Sequence, residues 1–157
     1  MKITFLVIGK TNQAALIQLI DEYLRRLKHY TNFELLTIPE LKNSKNISEK
    51  EQKDKEGELI LKQLEIGDEV ILLDEKGKEY TSVGFSEFIA KKLMTSNKRM
   101  VFVVGGPYGF SENVYARANG LISLSAMTFS HQMIRLIFVE QLYRAFTILK
   151  GEPYHHE

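Results

Sequence analysis

Three backbone-rich segments, one pair of basic side chains and a short tail hold the chemical potential of this sequence. The first segment is Gly105-Gly106-Pro107-Tyr108-Gly109, directly after the apolar run Met100–Val104. Glycines at a strand end allow close backbone approach. The spacing is not the dinucleotide fingerprint: with Gly106 and Gly109 as its last two glycines, the first would fall on Val104. Pro107 also lacks the N–H that a phosphate cradle uses. The turn suits a ligand with a base and a ribose but no phosphates, or it is a tight turn with no ligand. The second segment, Ser123-Leu124-Ser125-Ala126-Met127-Thr128-Phe129, is small, hydroxyl-bearing and uncharged. Its amides and carbonyls suit the edge of a base, or it caps a helix. Leu72-Leu73-Asp74, another strand end, is the third. His131 and Arg135 stand four apart, so they share one side of a helix start and make a cationic spot. A backbone-bonded helix-start residue is the plainer role for His131. The tail Tyr154-His155-His156-Glu157 either stays loose or folds back over a site.

Other signals are weaker. Gly9-Lys10-Thr11 resembles the end of a phosphate loop, but the glycine that loop needs five residues earlier is Thr4. No metal centre is expected, because cysteines are absent and adjacent His155 and His156 lack the usual ligand spacing. At 157 residues, 44% of them apolar, one domain with a sizeable core is expected. The net charge of +1 does not advertise a nucleic-acid binder. It does not exclude one, since local clusters such as Arg25-Arg26-Lys28 could supply the field. Ile3–Ile8 is too short for a signal-peptide core and reads as a strand. No run approaches the ~18 apolar residues of a membrane span.

The elements that must position these residues follow from periodicity. Strands are expected at Ile3–Ile8, Phe33–Ile38, Glu69–Asp74, Met100–Val104 and Leu121–Leu124. Glu75-Lys76-Gly77-Lys78 reads as a turn. Helices are expected from Thr11 or Asn12 to about His29, from Glu49 behind a Ser48/Glu51 capping box, from Ser82 or Ser86, from Ser111 to about Asn119 where Gly120 ends it, and from about Ser130 for some nineteen residues. Lys42–Asn46 is expected to be a mobile loop, either plain surface or a basic arm. The β-α alternation implies an α/β fold: a mostly parallel sheet with helices on both faces. Ligands in such sheets bind beyond the strand C-termini, where the glycine turn and Leu124–Phe129 would lie side by side. The last helix is apolar nearly all round, so one side should meet the sheet and another a second subunit.

Read together, these stretches resemble the ribosomal RNA large subunit methyltransferase H family, of the SPOUT class. The matching residues are Met1–Gly9, Glu22–Arg26, Asp54-Lys55-Glu56-Gly57, Leu73-Asp74 with Gly77-Lys78, Gly105–Gly109, Ser123–Phe129, His131 with Arg135, Glu140 with Leu142–Ala145, and Pro153-Tyr154-His155. The resemblance runs end to end and implies a single domain over 1–157, with a trefoil knot at about 99–150. It implies S-adenosylmethionine as cofactor, surrounded by Leu73, Gly105, Leu124, Ser125, Ala126, Met127, Thr128 and Phe129. It implies methyl transfer to N3 of a pseudouridine in large-subunit ribosomal RNA of the assembled ribosome, in the cytoplasm. It implies a homodimer in which one subunit's tail reaches the other's cofactor.

In that setting the nitrogen must lose a proton, and a nearby cation favours the anion. Arg135 is the expected cation, or a phosphate grip. His131 or His155 takes the proton, and Tyr154 stacks on the flipped base. Arg25, Arg26, Lys42 and Lys45 are candidate ribosome contacts. A non-catalytic ribosome-associated factor on the same fold, which predicts no cofactor binding, and a flavodoxin-like nucleotide or phosphoryl enzyme, against which Pro107 and the missing glycine at Thr4 argue, are the alternatives.

Overall fold

The computed structural model describes residues 1–157 except Asn43, Ser96, Asn97 and Glu157. Its elements in chain order are β1 (Lys2–Ile8), α1 (Ala14–Leu27), β2 (Asn32–Ile38), α2 (Glu49–Lys62), β3 (Glu69–Glu79), α3 (Ser82–Thr95), β4 (Met100–Val104), α4 (Glu112–Arg117), β5 (Gly120–Ser123) and α5 (Met133–Leu149). A short 3₁₀ turn, Ser44–Asn46, lies in the lysine-rich connection; Asn43 of that stretch is outside the described residues.

Local chemistry explains several boundaries. Ser48 Oγ accepts the Glu51 N–H at 3.1 Å and starts α2. Ser111 Oγ accepts the Val114 N–H at 3.3 Å and starts α4. Helix α1 begins later than Thr11 or Asn12, with Gln13 at the cap and no side-chain cap bond. Gly120 opens β5 instead of only closing α4.

All strand pairings are parallel, and the sheet order is β2-β1-β4-β3-β5. On one face α1, α3 and α5 cover Phe5, Phe102, Ile71 and Met100. On the other, α2 and α4 cover Leu6, Val70, Leu72 and Val103. The expected architecture holds, with two corrections. First, β4 and β5 are not neighbours, because β3 lies between them. Second, β3 does not turn away after Asp74. It shifts register between Leu73 and Lys78 and continues along β5, pairing Lys78 with Ile122 and Glu79 with Ser123. Gly77 permits this: a Cβ there would stand 2.5 Å from the Ile122 backbone.

The apolar girth of α5 has an explanation within the chain. The helix lies between α1 and α3, and Phe138 packs on Phe5 and Phe102 at ring distances of 4.4 and 4.8 Å. Met133 and Leu149 at its two ends stay exposed. No helix among the described residues is long and apolar enough to cross a membrane.

Candidate functional site

A cavity of about 640 Å³ opens beyond the C-terminal ends of β4 and β5 and beside the register shift of β3, within the ~300–1,000 Å³ usual for small-molecule sites. Three backbone segments form its walls: Leu73–Lys76, Val104–Phe110 and Ser123–His131, with Lys53 of α2 and Ile134 of α5. Leu73, Gly105, Leu124, Ser125, Ala126, Met127, Thr128 and Phe129 all line it, and so does His131. Leu73 is the central piece, since β3 separates the other two segments.

Internal bonds fix the walls. Ser123 Oγ donates to the Ser125 carbonyl, and Ser125 Oγ accepts the Met127 N–H, both at 2.9 Å. Gly109, at φ +83°, closes the glycine turn by donating its N–H to the Gly106 carbonyl at 3.2 Å. The Tyr115 hydroxyl donates to Asp74 Oδ2, while Asp74 Oδ1 accepts the Lys76 N–H at 2.8 Å. Burial, then the bond and charge of Asp74, push the Tyr115 phenol far above its ordinary value, so it stays a neutral donor. Behind Ser123–Ser125 and Phe129 lies a second cavity of about 300 Å³, between Tyr80, Phe85 and Gln141. The segment is therefore a wall with space on both sides.

Arg135 is not where its spacing suggested. It is 1% exposed and does not line the cavity. Its guanidinium donates to the carbonyls of Ile8 (2.8 Å), Gly9 (2.8 Å) and His131 (3.1 Å) and to Thr11 Oγ1 (3.1 Å). Those acceptors occupy the fork, so Arg135 ties α5 to the end of β1 and has no access to a ligand. It lies on the buried stripe with Phe138, Val139, Leu142 and Phe146, whereas His131 precedes the helix and is exposed.

Tyr154 and His155 belong to a second cluster. The Tyr154 hydroxyl donates to Glu140 Oε1 at 2.9 Å and lies 3.0 Å from the Tyr23 hydroxyl. Its ring stands edge-on to Tyr143 at 4.8 Å, with the Arg144 guanidinium 4.8 Å from its centre. Arg144 Nη2 donates to Glu140 Oε1 at 2.7 Å, and Nη1 lies 3.0 Å from His155 Nδ1. Guanidinium only donates, so Nδ1 is the acceptor and the imidazole proton sits on Nε2. Burial first, then the Tyr23 and Glu140 bonds, raise the Tyr154 phenol far above its ordinary value. The tail is further pinned by the Tyr30 hydroxyl, which donates to Glu152 Oε2 at 2.7 Å and is pushed up to about 12, chiefly by that bond.

The expected catalytic residues thus divide into His131 at the cavity, Arg135 in the interior, and Tyr154 with His155 on the far flank. Arg144 is eleven residues along α5 from Met133, about 16 Å at ~1.5 Å per residue. The sequence reading missed Arg144, because Glu140 four residues earlier explains it as an ordinary helical pair. It also missed Tyr115 and Lys53, whose sequence neighbourhoods carry no motif of their own.

Comparison with known proteins gives a consistent result. The family model described as "Predicted SPOUT methyltransferase" matches residues 1–155. The chain is 64% identical over 157 residues, covering all of both chains, to the ribosomal RNA large subunit methyltransferase H of Parabacteroides distasonis. It is 59% identical, again over the full length of both, to the protein of that name from Flavobacterium johnsoniae. A solved structure, a probable methylase family protein from Haemophilus influenzae Rd KW20, superposes with a TM-score of 0.52 at 15% identity. That match covers 95% of this chain and 66% of the other, and it speaks to the fold alone. This chain belongs to the SPOUT methyltransferase family. It is a methyltransferase, and the reaction requires a methyl donor.

Proposed function

We propose that the chain methylates N3 of a pseudouridine in the large-subunit ribosomal RNA of the assembled ribosome, in the cytoplasm, with S-adenosylmethionine as donor. One observation carries this reading. The eight positions that the family resemblance assigns to the cofactor all line a single cavity, in a chain 64% identical throughout to a large-subunit methyltransferase. The wall chemistry fits the donor: backbone edges for a base, no phosphate cradle, Lys53 for a carboxylate, and Asp74 and Glu75 for cationic groups. When bound, that cofactor supplies a methyl group on a sulfonium centre. The protein's part is positioning, charge and the proton. Residues 1–157 act as one domain, with the knot over about 99–150.

Within one chain the cavity and the Tyr154 cluster are apart, so we place the working site between two copies. In a homodimer through the α1–α5 flank, one subunit's Tyr154, His155 and Arg144 face the other's cavity. Tyr154 then stacks on the target base. Arg144, with its fixed charge, favours the base anion. His155 offers its Nε2–H to a base carbonyl, since Nδ1 is taken by Arg144. His131, at the cavity wall, is the proton acceptor.

Calorimetric titration of S-adenosylmethionine, then mass spectrometry of ribosomal RNA after incubation with ribosomes, tests this. Binding and a single added methyl on a large-subunit pseudouridine are expected. Without donor binding, or without the added methyl, the proposal falls.

A further inference from the structure

Two acidic residues are buried among the described residues, Asp68 and Glu56. Asp68 is fully matched. Arg99 donates to it at 2.6 and 3.1 Å, and the Glu65 N–H at 2.7 Å. Glu56 is not. Its Oε1 has no hydrogen-bond partner, and its Oε2 has only the Gln52 amide at 3.5 Å. The charged group that bears on it is Glu40, of the same sign, on the connection after β2. Lys53, one turn earlier on α2, lines the cavity.

Packing puts Glu56 there. A Cβ on Gly57 would stand 2.3 Å from Ser111 Oγ, so α2 lies tight against the cap of α4. Glu56 is thereby carried beneath the glycine turn. Its oxygens lie 2.5 and 2.6 Å from where a Cβ on Gly106 would be. Gly106 itself lines the cavity, so this carboxyl supports the ligand's wall from behind. A buried carboxylate beside another anion, with no cation, is strongly disfavoured, whereas a neutral carboxyl brings an O–H donor that backbone carbonyls can accept.

We propose that Glu56 is a positioning residue for the methyl donor: as a neutral acid it seats the Gly105–Gly109 turn, and its ionisation unseats that turn and weakens donor binding. The proposal rests on the S-adenosylmethionine reading above. Burial first, and Glu40 after it, raise this carboxyl above the ordinary glutamate range, with Gln52 opposing them. Glu40 in turn acts on the Arg135 guanidinium, and on the turn side the carboxyl stands against Gly106. The seated turn favours the proton. Affinity is therefore greatest below the carboxyl's own pKa and falls as pH rises through it.

The test is calorimetric titration of S-adenosylmethionine into the full chain at pH 6 and pH 9, comparing wild type, Glu56→Gln and Glu56→Ala. Ionisation of the donor itself is common to all three, so the differences between profiles isolate Glu56. Wild type is expected to lose more affinity between the two pH values than Glu56→Gln does, by about tenfold for each pKa unit by which donor binding raises the carboxyl. Glu56→Gln should match wild type at pH 6 and bind more tightly at pH 9. Glu56→Ala, which leaves a void under the turn, should bind more weakly at both. Melting temperatures without donor check that both variants fold. Parallel profiles for wild type and Glu56→Gln overturn the proposal. So does a tenfold loss in Glu56→Gln at pH 6. Failure of wild type to bind at either pH overturns the donor reading and takes this proposal with it.

Discussion

Replacing Arg135 by Met separates structure from catalysis at the residue whose position departs most from its sequence pattern. Methionine keeps part of the apolar stem and removes the donors. The carbonyls of Ile8 and Gly9, which the guanidinium reaches at 2.8 Å, then lose a charged donor in the interior. Each buried acceptor left unmatched costs about 1–3 kcal/mol. Part of that is returned, because the guanidinium itself no longer has to be desolvated, and burial already pulls its pKa below the ordinary value. A net loss of about 3 kcal/mol is the balance of these terms. For a chain of 157 residues, at ~2–4 °C per kcal/mol, the melting temperature should fall by roughly 6–12 °C. Scanning calorimetry measures this. Methylation of ribosomes, assayed well below the variant's melting range, should fall by less than about tenfold, against the ~10²–10⁴ that losing an acid, base or activating group costs. A variant that melts within about 2 °C of wild type yet loses methylation more than about a hundredfold would refute this reasoning and return Arg135 to the chemistry.

Other substitutions probe the remaining links. Gly77→Ala forces a Cβ against the Ile122 backbone and should cost about 2–3 kcal/mol. Because β5 carries Leu124–Phe129, donor affinity should fall with stability, readable by melting and calorimetry together. Asp68 feels burial, which raises its pKa, but Arg99 and the Glu65 N–H outweigh it and leave the carboxyl below the ordinary range. Its stabilising effect is therefore present above the unfolded-state pKa of about 4 and is lost as pH falls through the depressed folded value. Asp68→Asn should flatten that acid limb and lower stability at neutral pH, measured by denaturant unfolding across pH. For the composite site, inactive His155→Ala chains mixed equally with inactive Gly105→Val chains should regain roughly a quarter of wild-type methylation, since half of randomly mixed dimers hold one intact site. No recovery after subunit exchange would place tail and cavity in the same subunit.

Much of the scaffold was legible because strong local rules agreed. The run Met100–Val104 has no polar residue and became a fully buried strand. Ser48 and Ser111 stand where caps must stand, and both cap. What pattern could not supply was strand order, since periodicity finds strands but does not pair them. Glu75–Lys78 looked like a turn because it is charged and holds a glycine. Along a sheet edge such residues point to water, and Gly77 is needed by a neighbouring backbone, not by a bend. Arg135 was readable in principle, at the spacing of Phe138 and Leu142, but a charge on an apolar stripe is easily assigned to a ligand. The Arg144–His155 contact depends on where a tail folds back, which no local rule fixes.

The bonds that join the two ends of the chain also set a timetable for its birth. Arg135 holds Ile8 and Gly9, Gln132 receives the Asn12 N–H at 3.0 Å, and Tyr154 meets Tyr23. Phe138 roofs Phe5. None of these can form until the last helix has been synthesised and released. At ~5–20 residues per second, Phe5 waits roughly seven to thirty seconds for the Phe138 ring that completes its cover. Closing so large a span is also intrinsically slow. A nascent chain that still lacks α5 is therefore expected to be chaperone-dependent and sensitive to protease.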